Sequence, residues 1–392
     1  MEVQTCSQRR ERLLIDRLQI EKRERETLAA YAALSAESRG RVYPQEEHPL
    51  RTAYQRDRDR IVHSSAFRRM EYKTQVFIPH LADHFRTRLT HTIEVAQIAR
   101  TLARNLRVNE DLTEAIALVH DLGHTPFGHS GEDVLNELLE DFGGFNHNRQ
   151  SLRVVDLLEE RYPDHPGLNL TYEVREGIAK HETHGGVVGP EFHPDERPTL
   201  EAALVDKADE LAYSAHDVDD GLSSGLITVD DLRPLSIWDD ESGPFRSADA
   251  AQYDSDGDLL RRRLARYLIN RVATDLLETT SGRLSEYGIT DLASLRRTAR
   301  AVCRYSETME PQVAEMKQAL RTRLYRHPRL LLMADQAHRV IRRLFAKLTN
   351  DPQLMPPRFQ TMLRDQPVQI VAADYIAGMT DRFAEKLAEQ HF

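Results

Sequence analysis

The stretch HDLGHTPFGHSGE, residues 120–132, places three histidines, an aspartate and a glutamate within thirteen positions. It ends a helical pattern predicted over 110–122, for which Asn109 is a suitable N-cap residue. The adjacent His120 and Asp121 can bind one ion if this helix end faces a cavity. Imidazoles and carboxylates together suit Mn, Fe, Mg or a similar divalent ion with water in the open positions.

Two further segments carry candidate ligands for the same ion. The pattern over 86–106 predicts a helix that is apolar on most sides, and such a helix is buried. His91 should therefore lie in the interior, where it needs a partner. Downstream, the polar-studded segment VDKADELAYSAHDVDD, residues 205–220, offers Asp206 and Asp209 as alternative carboxylate ligands.

The downstream segment also holds a second adjacent His-Asp pair, His216 and Asp217. A single pair of this kind is more often a pair on a helix surface than a metal site. Helical spacing places Asp209, Tyr213 and either His216 or Asp217 on one stripe. The pair His120 and Asp121 is the better candidate for a metal site, because a buried histidine is predicted upstream of it and a buried polar helix downstream.

Helical periodicity recurs along the whole chain and strand signals are scarce, which predicts an all-α protein. We divide the chain into a helical extension at 1–50, a core at 51–225 and a C-terminal helical region at 226–392. An acidic segment at about 236–258, broken by Gly and Pro, predicts a loop in the last region. Helices are expected at 8–38, 54–70, 86–106, 110–122, 130–142, 147–161, 171–182, 199–222, 257–281, 290–305, 310–326, 333–349 and 368–390.

The composition excludes several classes of protein. The 392 residues carry a net charge of −10, whereas a general nucleic-acid coat protein would be basic. Local arginine clusters still allow an anionic substrate. The two cysteines, Cys6 and Cys303, disfavour a disulfide scaffold and a zinc ribbon. With so few cysteines, we expect a protein of the reducing cytoplasm. No apolar run approaches the ~18 residues of a membrane span, and no signal peptide is evident.

Taken in order, the motifs resemble those of the deoxyguanosinetriphosphate triphosphohydrolase family of HD-domain phosphohydrolases. The resemblance implies an HD-domain helical core with additional C-terminal helices. It also implies metal-dependent hydrolysis of dGTP or other deoxynucleoside triphosphates to a deoxynucleoside and inorganic triphosphate. The matching segments are RDRDRIVHSSAFRRMEYKTQVF (56–77), RTRLTHTIEVAQIA (86–99), LVHDLGHTPFGHSGE (118–132), FNHNRQS (145–151), DKADELAYSAHDVDD (206–220) and, more loosely, KQALRTRLYRHPR (317–329).

The resemblance also implies a metal site. The family pattern Asp-x-x-x-Tyr-x-x-x-Asp matches Asp209, Tyr213 and Asp217 without a gap, which selects Asp209 over Asp206 as the ligand. Asp206 is then expected to be a solvent-exposed helix residue, and Tyr213 and Asp217 to line the deoxyribose or phosphate side of the pocket. One divalent metal ion (Mn, Mg, Fe, Ni or similar) would be held by His91, His120, Asp121 and Asp209.

Catalytic roles are predicted for several histidines that lie close together in the sequence. His129 and Glu132 are three residues apart, so near a helix start the carboxylate can hold the imidazole in one tautomer and raise its basicity. By resemblance, this pair is the proton-transfer element beside the α-phosphate and His147 is a further histidine near it. His124 matches a pocket histidine that contacts phosphate, and His181 is expected only to line the pocket.

The substrate needs cationic and hydrogen-bonding partners. Arg88 lies one helical turn before His91, so it should project near the metal and contact phosphate oxygens. It matches the phosphate-binding arginine of the family. Gln75 matches a residue that hydrogen-bonds the sugar 3′-hydroxyl. Lys317 and Tyr325 match a basic/tyrosine pair that contacts phosphate and nucleoside.

One departure from the family pattern keeps alternatives open. Glu210 follows Asp209 where a vertebrate relative has a lysine, so contacts to the triphosphate tail must come from Lys207 or elsewhere. This favours, as an alternative, an HD-type nucleotidase or phosphodiesterase acting on a nucleoside monophosphate or a phosphodiester. Another alternative is a nucleotide-sensing regulatory protein with weak turnover, with helices at 8–38 and 310–349 as interface elements. The resemblance implies a homo-oligomer, a tetramer or hexamer, and a nucleotide or single-stranded DNA effector.

Overall fold

A computed structural model describes residues 14–75, 86–181, 189–239, 243–245 and 257–391. Helices dominate these ranges, and none of them contains a β-strand. The predicted all-α class is therefore confirmed. No helix in these ranges combines the length and the apolar character that a membrane crossing requires.

The α-helices are numbered here in chain order. The seventh runs directly into a π-helical turn over Val154–Leu158. The helices of the described ranges are α1 (Arg17–Thr27), α2 (Ala53–Val62), α3 (Ser65–Arg69), α4 (Arg88–Leu106), α5 (Glu110–Val119), α6 (Gly128–Leu138), α7 (His147–Arg153), α8 (Tyr172–Ala179), α9 (Leu200–Ser223), α10 (Val229–Leu232), α11 (Gly257–Glu286), α12 (Leu292–Arg297), α13 (Met309–Arg323), α14 (Pro328–Asn350), α15 (Pro357–Met362), α16 (Val368–Ala377) and α17 (Asp381–His391).

The larger of two apolar cores is built around α9. This helix packs against α11, α4 and α5, and α4 and α5 also pack against each other. Its buried apolar residues recur every three or four positions, as in Leu204, Ala208, Leu211 and Ala215, which is the spacing of one helix face. The polar residues of α9 are thereby held beside α4 and the end of α5.

The second core joins the C-terminal helices to α6. Val134 and Leu135 of α6 pack with Ile341 and Leu344 of α14 and with Val371 of α16. The turn before α6 therefore rests on the C-terminal region. The division of the chain at residues 50 and 225 stays a prediction.

A carboxylate from α17 joins this second core to the turn before α6. Asp381 accepts hydrogen bonds from the backbone N–H groups of Thr74, at 2.8 Å, and Phe127, at 2.9 Å. Lys73 donates from its Nζ atom to the carbonyl oxygens of His124, at 2.6 Å, and Ala377, at 2.7 Å. Buried polar groups require such partners, so these contacts fix where the C-terminal helices sit.

Two predicted helices were too long. In the predicted helix 8–38, α1 ends at Thr27, because Leu28 adopts an extended conformation and the chain turns into the core; residues 8–13 lie outside the described residues. Of the predicted helix 290–305, only the residues of α12 are helical, because Thr298 adopts an extended conformation and ends α12.

The C-terminal segment and the acidic segment also differ from the prediction. Residues 368–390 form two helices, α16 and α17, instead of one, and residues 54–70 likewise form α2 and α3. The acidic segment contains a short 3₁₀ turn, Ser236–Trp238, and its last two residues, 257–258, belong to α11. Its residues 240–242 and 246–256 lie outside the described residues.

Candidate metal and phosphate site

Three predicted metal ligands, from three different helices, converge at one point. His91 lies on α4, His120 follows the last residue of α5, and Asp209 lies on α9, and their ligand atoms are all within 4.8 Å of one another. The Asp209 Oδ1 atom is 2.8 Å from His91 Nε2 and 3.6 Å from His120 Nε2. Both histidines are 1% exposed. Two imidazoles and a carboxylate at this separation make up part of a divalent-metal site.

The end of α5 determines the orientation of His120. Asn109 caps the start of α5 by accepting a hydrogen bond from Leu112 N, and His120 takes the C-cap position. Its Nδ1 atom is 2.6 Å from the carbonyl oxygen of Ala117, to which it donates. The Nε2 atom, which carries the lone pair when the ring is neutral, is buried without a hydrogen-bond partner. Since buried polar atoms are rarely unpaired, this nitrogen fits a metal ligand.

Asp121, the fourth predicted ligand, lies at the edge of this cluster. Its Oδ1 atom is 3.4 Å from His120 Nε2 and 3.0 Å from His124 Nε2, and its Oδ2 atom accepts from Arg88 Nη1 at 2.7 Å. Burial opposes its ionisation, but His120 and Arg88 hold the pKa of Asp121 well below its usual range. Asp121 is thus an ionised carboxylate shared between the metal ligands and Arg88.

The same reasoning applies to the ionisation of Asp209. Burial opposes its ionisation, but contacts with His120 and His91 keep the pKa of Asp209 well below its usual range. Its carboxylate is therefore charged, as a ligand of a divalent cation must be.

Arg88 is buried with spare donor capacity. Its Nη2 atom donates to the carbonyl oxygen of Thr74 at 3.3 Å, while its Nε atom has no hydrogen-bond partner. The guanidinium lines a cavity together with His91 and Asp209. A fixed guanidinium with a free donor beside metal ligands suits a phosphate oxygen.

Two histidines that line the cavity, His129 and His147, share one carboxylate, that of Glu132. Glu132 Oε2 is 2.9 Å from His147 Nδ1 and 3.6 Å from His129 Nδ1. The predicted His129–Glu132 pair is therefore a triad in which Glu132 lies closer to His147. The His124 ring stacks on the His147 ring with their centroids 4.0 Å apart.

These contacts set the charges of the triad. Burial opposes ionisation of Glu132, but His129 and His147 hold its pKa well below the usual range. In return, the Glu132 carboxylate raises the pKa of His129. The His129 side chain is 59% exposed at the mouth of the cavity, so it can meet a substrate directly.

The cavity between these groups has a volume of about 200 Å³. An adjoining pocket of about 290 Å³ shares Gln75, His129 and Tyr213 with it and is otherwise mainly apolar, with Phe127 and Leu330 among its walls. Predicted site residues that line the first cavity are Gln75, Arg88, His91, Asp121, His124, His129, His147, Asp209, Tyr213 and Lys317.

Two predicted substrate residues meet behind the second pocket. Tyr325 lines that pocket and donates a hydrogen bond from its hydroxyl to Asp217 Oδ2. Asp217 is 1% exposed and lies in neither cavity wall. Burial raises the pKa of Asp217 to about 8, against the lowering effect of the Tyr325 hydrogen bond. Asp217 thus supports Tyr325 and is protonated at neutral pH.

Glu210, the departure from the family pattern, pairs with two lysines. Its Oε2 atom is 2.6 Å from Lys207 Nζ and its Oε1 atom is 3.1 Å from Lys317 Nζ. Lys317 is 54% exposed. A third cavity, of about 810 Å³, opens beside all three residues. Of the two lysines, Lys317 lines the cavity beside the metal ligands, and the single negative charge of Glu210 offsets one of their two positive charges.

The structure corrects the expectation for Asp206 and enlarges the role of His181. Asp206 was expected to be exposed, but it is half-buried and accepts a hydrogen bond from His181 Nδ1 at 2.5 Å. The His181 ring lies 5.2 Å from the His120 ring, and its Nε2 atom is 3.8 Å from Asp209 Oδ2. His181 thus faces the metal ligands, with Asp206 fixing its ring. The spacing of the sequence alone gave no signal for this contact.

His216 also differs from the surface pair that a single His-Asp dipeptide suggests. It is 4% exposed and its ring lies 5.3 Å from the ring of His91. Its neighbour in sequence, Asp217, points to Tyr325 instead. The pair is buried, and its two residues contact different neighbours.

Comparison with known proteins agrees with this geometry. The HD domain matches residues 88–214, and the phosphohydrolase-associated domain matches residues 303–390. HD domains bind divalent metals, and the candidate cluster of His91, His120 and Asp209 lies within the matched region.

Similar proteins cover nearly the whole chain, and each is named a deoxyguanosinetriphosphate triphosphohydrolase-like protein. The one from Geobacter sulfurreducens is 48% identical, over 92% of this chain and 94% of that protein. The one from an Azoarcus species is 50% identical, over 92% and 95%. The one from Ralstonia pickettii is 49% identical, over 92% and 93%. The chain belongs to the deoxyguanosinetriphosphate triphosphohydrolase-like family of HD-domain proteins.

Proposed function

We propose that this protein hydrolyses deoxynucleoside triphosphates, dGTP or others, to a deoxynucleoside and inorganic triphosphate. The observation that carries the proposal is a single cavity shared by three kinds of group. Metal ligands, a buried arginine and a histidine with a raised pKa all line it, represented by Asp209, Arg88 and His129. An apolar pocket continues from the same cavity.

The metal ligands and Arg88 act on the phosphate. A divalent ion held by His91, His120 and Asp209 would supply Lewis-acid activation of a phosphate oxygen and of water. Arg88, fixed by Asp121, donates from its free Nε atom to an α-phosphate oxygen. Charge that develops on this oxygen in the transition state is then met by a donor already in place.

His129 acts on the leaving group. Water attacks the α-phosphorus in line and releases one proton to the solvent, and the bond from phosphorus to the 5′-oxygen breaks. The imidazolium of His129 gives its proton to that oxygen, which leaves as the 5′-hydroxyl of the deoxynucleoside. The Glu132 carboxylate favours the protonated form of His129, and His147 holds Glu132 in position. General acid catalysis of this kind typically contributes ~10²–10⁴-fold.

The adjoining pocket suits the nucleoside. Tyr213 and Tyr325 lie with ring centroids 6.0 Å apart beside Phe127, so a base can pack on aromatic surfaces. Gln75 lines both cavities, and its buried Oε1 atom has no hydrogen-bond partner. It can accept a hydrogen bond from the 3′-hydroxyl of the sugar. These features support a nucleoside phosphate over a simple phosphate ester.

Lys317 and Lys207 suit the outer phosphates. Lys317 lines both the phosphate cavity and the larger cavity next to it, so the triphosphate tail can extend from one to the other. Binding of the tail would compete with Glu210 for both lysines. A homo-oligomer of four or six subunits and a nucleotide or single-stranded DNA effector belong to the same proposal.

Glu210 also favours a second candidate function. Because it pairs with both lysines, less positive charge faces a triphosphate. A nucleotidase or phosphodiesterase that acts on a nucleoside monophosphate or a phosphodiester needs fewer cations. Such an enzyme would keep the same metal ligands and His129.

A panel of substrates separates the two candidates. The purified protein is incubated with each dNTP, and with pairs of dNTPs in case one activates hydrolysis of another, in Mn²⁺ or Mg²⁺. Anion-exchange chromatography should reveal inorganic triphosphate and a deoxynucleoside. Diphosphate or monophosphate alone would contradict the proposal, and orthophosphate released from dNMPs would support the second candidate. The His129→Gln variant should lose the activity in either case.

A further inference from the structure

The second His-Asp pair of the sequence occupies two sides of α9. Asp217 is directed towards Tyr325, whereas His216 is directed towards α4. On α4, His91 and Glu94 are three residues apart, so they lie on one face of the helix. His216 contacts both of them.

The contacts form a chain of three side chains. The Nδ1 atom of His216 is 3.1 Å from the Nδ1 atom of His91, and the two rings meet edge-on at 85°. The other ring nitrogen of His216, Nε2, is 2.8 Å from Glu94 Oε2. The far nitrogen of His91, Nε2, faces Asp209.

The order of these contacts determines where the protons lie. A carboxylate can only accept, so His216 Nε2 donates to Glu94. A neutral His216 then has its lone pair on Nδ1, which accepts a hydrogen bond from His91 Nδ1. The Nε2 atom of His91 lies 2.8 Å from Asp209 Oδ1. With a metal ion in place of the proton between these two atoms, a hydrogen bond from Nδ1 to His216 would keep the Nε2 lone pair directed at the ion.

We propose that Glu94 and His216 are positioning residues that hold His91 in the tautomer and ring orientation needed to bind the metal ion. The inference rests on the metal site of the proposed function and extends it to two residues outside the ligand set. Neither residue touches the substrate cavity, so their effect reaches the reaction through His91.

The acidic end of this chain of contacts is itself fixed. Arg86 donates from its Nε atom to Glu94 at 3.0 Å and from Nη1 to Asp219 at 2.8 Å and Asp220 at 2.6 Å. Arg261 of α11 also binds Asp219. Glu94 is 42% exposed, so without Arg86 its side chain would be free to turn to solvent. The network therefore holds Glu94 against α9.

Metal affinity, measured without nucleotide, tests the proposal. Metal-free protein is titrated with Mn²⁺ by calorimetry for the parent, for His216→Leu and for Glu94→Gln. Loss of a partner that orients a metal-bound histidine typically costs about 10–100-fold in metal affinity, which we expect for His216→Leu, with a smaller loss for Glu94→Gln. The visible spectrum of the Co²⁺-loaded protein should change in both variants, because the ring orientation of a ligand changes.

Controls separate this role from a general loss of stability. His165→Leu removes another buried histidine, whose ring contacts Gln45 and Tyr43, and it should leave Mn²⁺ affinity unchanged. Should His216→Leu fail to fold, Glu94→Gln carries the test alone. Mn²⁺ affinities within twofold of the parent, with an unchanged Co²⁺ spectrum, would overturn the inference. A parent that binds Mn²⁺ but releases no triphosphate would contradict the proposed substrate and leave the inference standing.

Discussion

Tyr325, between α13 and α14, donates its hydroxyl hydrogen bond to the buried carboxyl group of Asp217 on α9. The contact ties the C-terminal half of the chain to the helix that also carries Asp209. It places an aromatic ring in the pocket assigned to the nucleoside, and it leaves a carboxyl group in a site where ionisation is unfavourable.

The Asp217→Asn variant should become more stable than the parent as the pH rises. Burial raises the pKa of Asp217 to about 8 in the folded protein from an ordinary value of 3.8. The proton's contribution to stability is complete below about pH 4 and is lost as the pH rises through about 8, because the unfolded chain releases the proton first. Between pH 5 and pH 7 the difference in Tm should grow, by an equivalent of more than ~1 kcal/mol. Exposed Asp164→Asn is the control, and parallel Tm curves for parent and variant would contradict the prediction.

The Glu132→Gln variant should shift the pH profile of hydrolysis. Glu132 raises the pKa of His129, so its loss lowers that pKa. If His129 must be protonated to act, activity falls as the pH rises through its pKa. The alkaline limb of kcat/KM should therefore move to lower pH in Glu132→Gln and stay in place in the neighbouring exposed variant Asp133→Asn. An unmoved limb would argue against His129 as the acid.

The Glu210→Gln variant should bind triphosphates more tightly. It releases Lys207 and Lys317 from their shared partner. Partly exposed ion pairs are worth about 0.2–1 kcal/mol each, so for the two pairs we expect KM for the preferred dNTP to fall by roughly two- to thirtyfold. Inhibition by inorganic triphosphate should strengthen in parallel. Lys317→Ala should have the opposite effect, and a higher KM in Glu210→Gln would show that Glu210 itself assists binding.

Metal removal tests the choice between two neighbouring carboxylates. The unpaired Nε2 atom of His120 predicts that Mn²⁺ raises the Tm of chelator-treated protein, by about 2.7 kcal/mol of stability at a hundred times Kd. Asp209→Asn should abolish this response. Asp206→Asn, three residues earlier and bonded to His181, should retain most of it. The reverse pattern would move the ligand to Asp206.

Sequence patterns predicted the parts of the site that lie on one helix or in one motif. The all-α class, the burial of His91 and the shared stripe of Asp209 and Tyr213 follow from helical spacing, which a single segment contains. The cluster of His129, Glu132 and His147 was expected from resemblance, and the structure brings these residues together.

Contacts between helices that are distant in sequence could not be predicted from helical spacing. That His216 contacts His91 depends on how α9 packs on α4, and the periodicity of either helix alone does not specify it. The division of 368–390 into two helices does have a local signal, because Gly378 takes the C-cap position of α16 and Thr380 Oγ1 accepts a hydrogen bond from Phe383 N at the start of α17. The break also allows Asp381 to bind Thr74 and Phe127, and these two contacts with distant segments are not visible in the local sequence.

The contacts of Asp381 bear on how the protein can be handled. The last described helix begins at this residue, so a change near the start of this helix can disturb a group that supports the turn before His129. A chain cut short before Asp381 would retain every candidate ligand yet leave two buried amides without acceptors. Proteolytic loss of this helix should therefore be checked by mass spectrometry before any preparation is judged inactive.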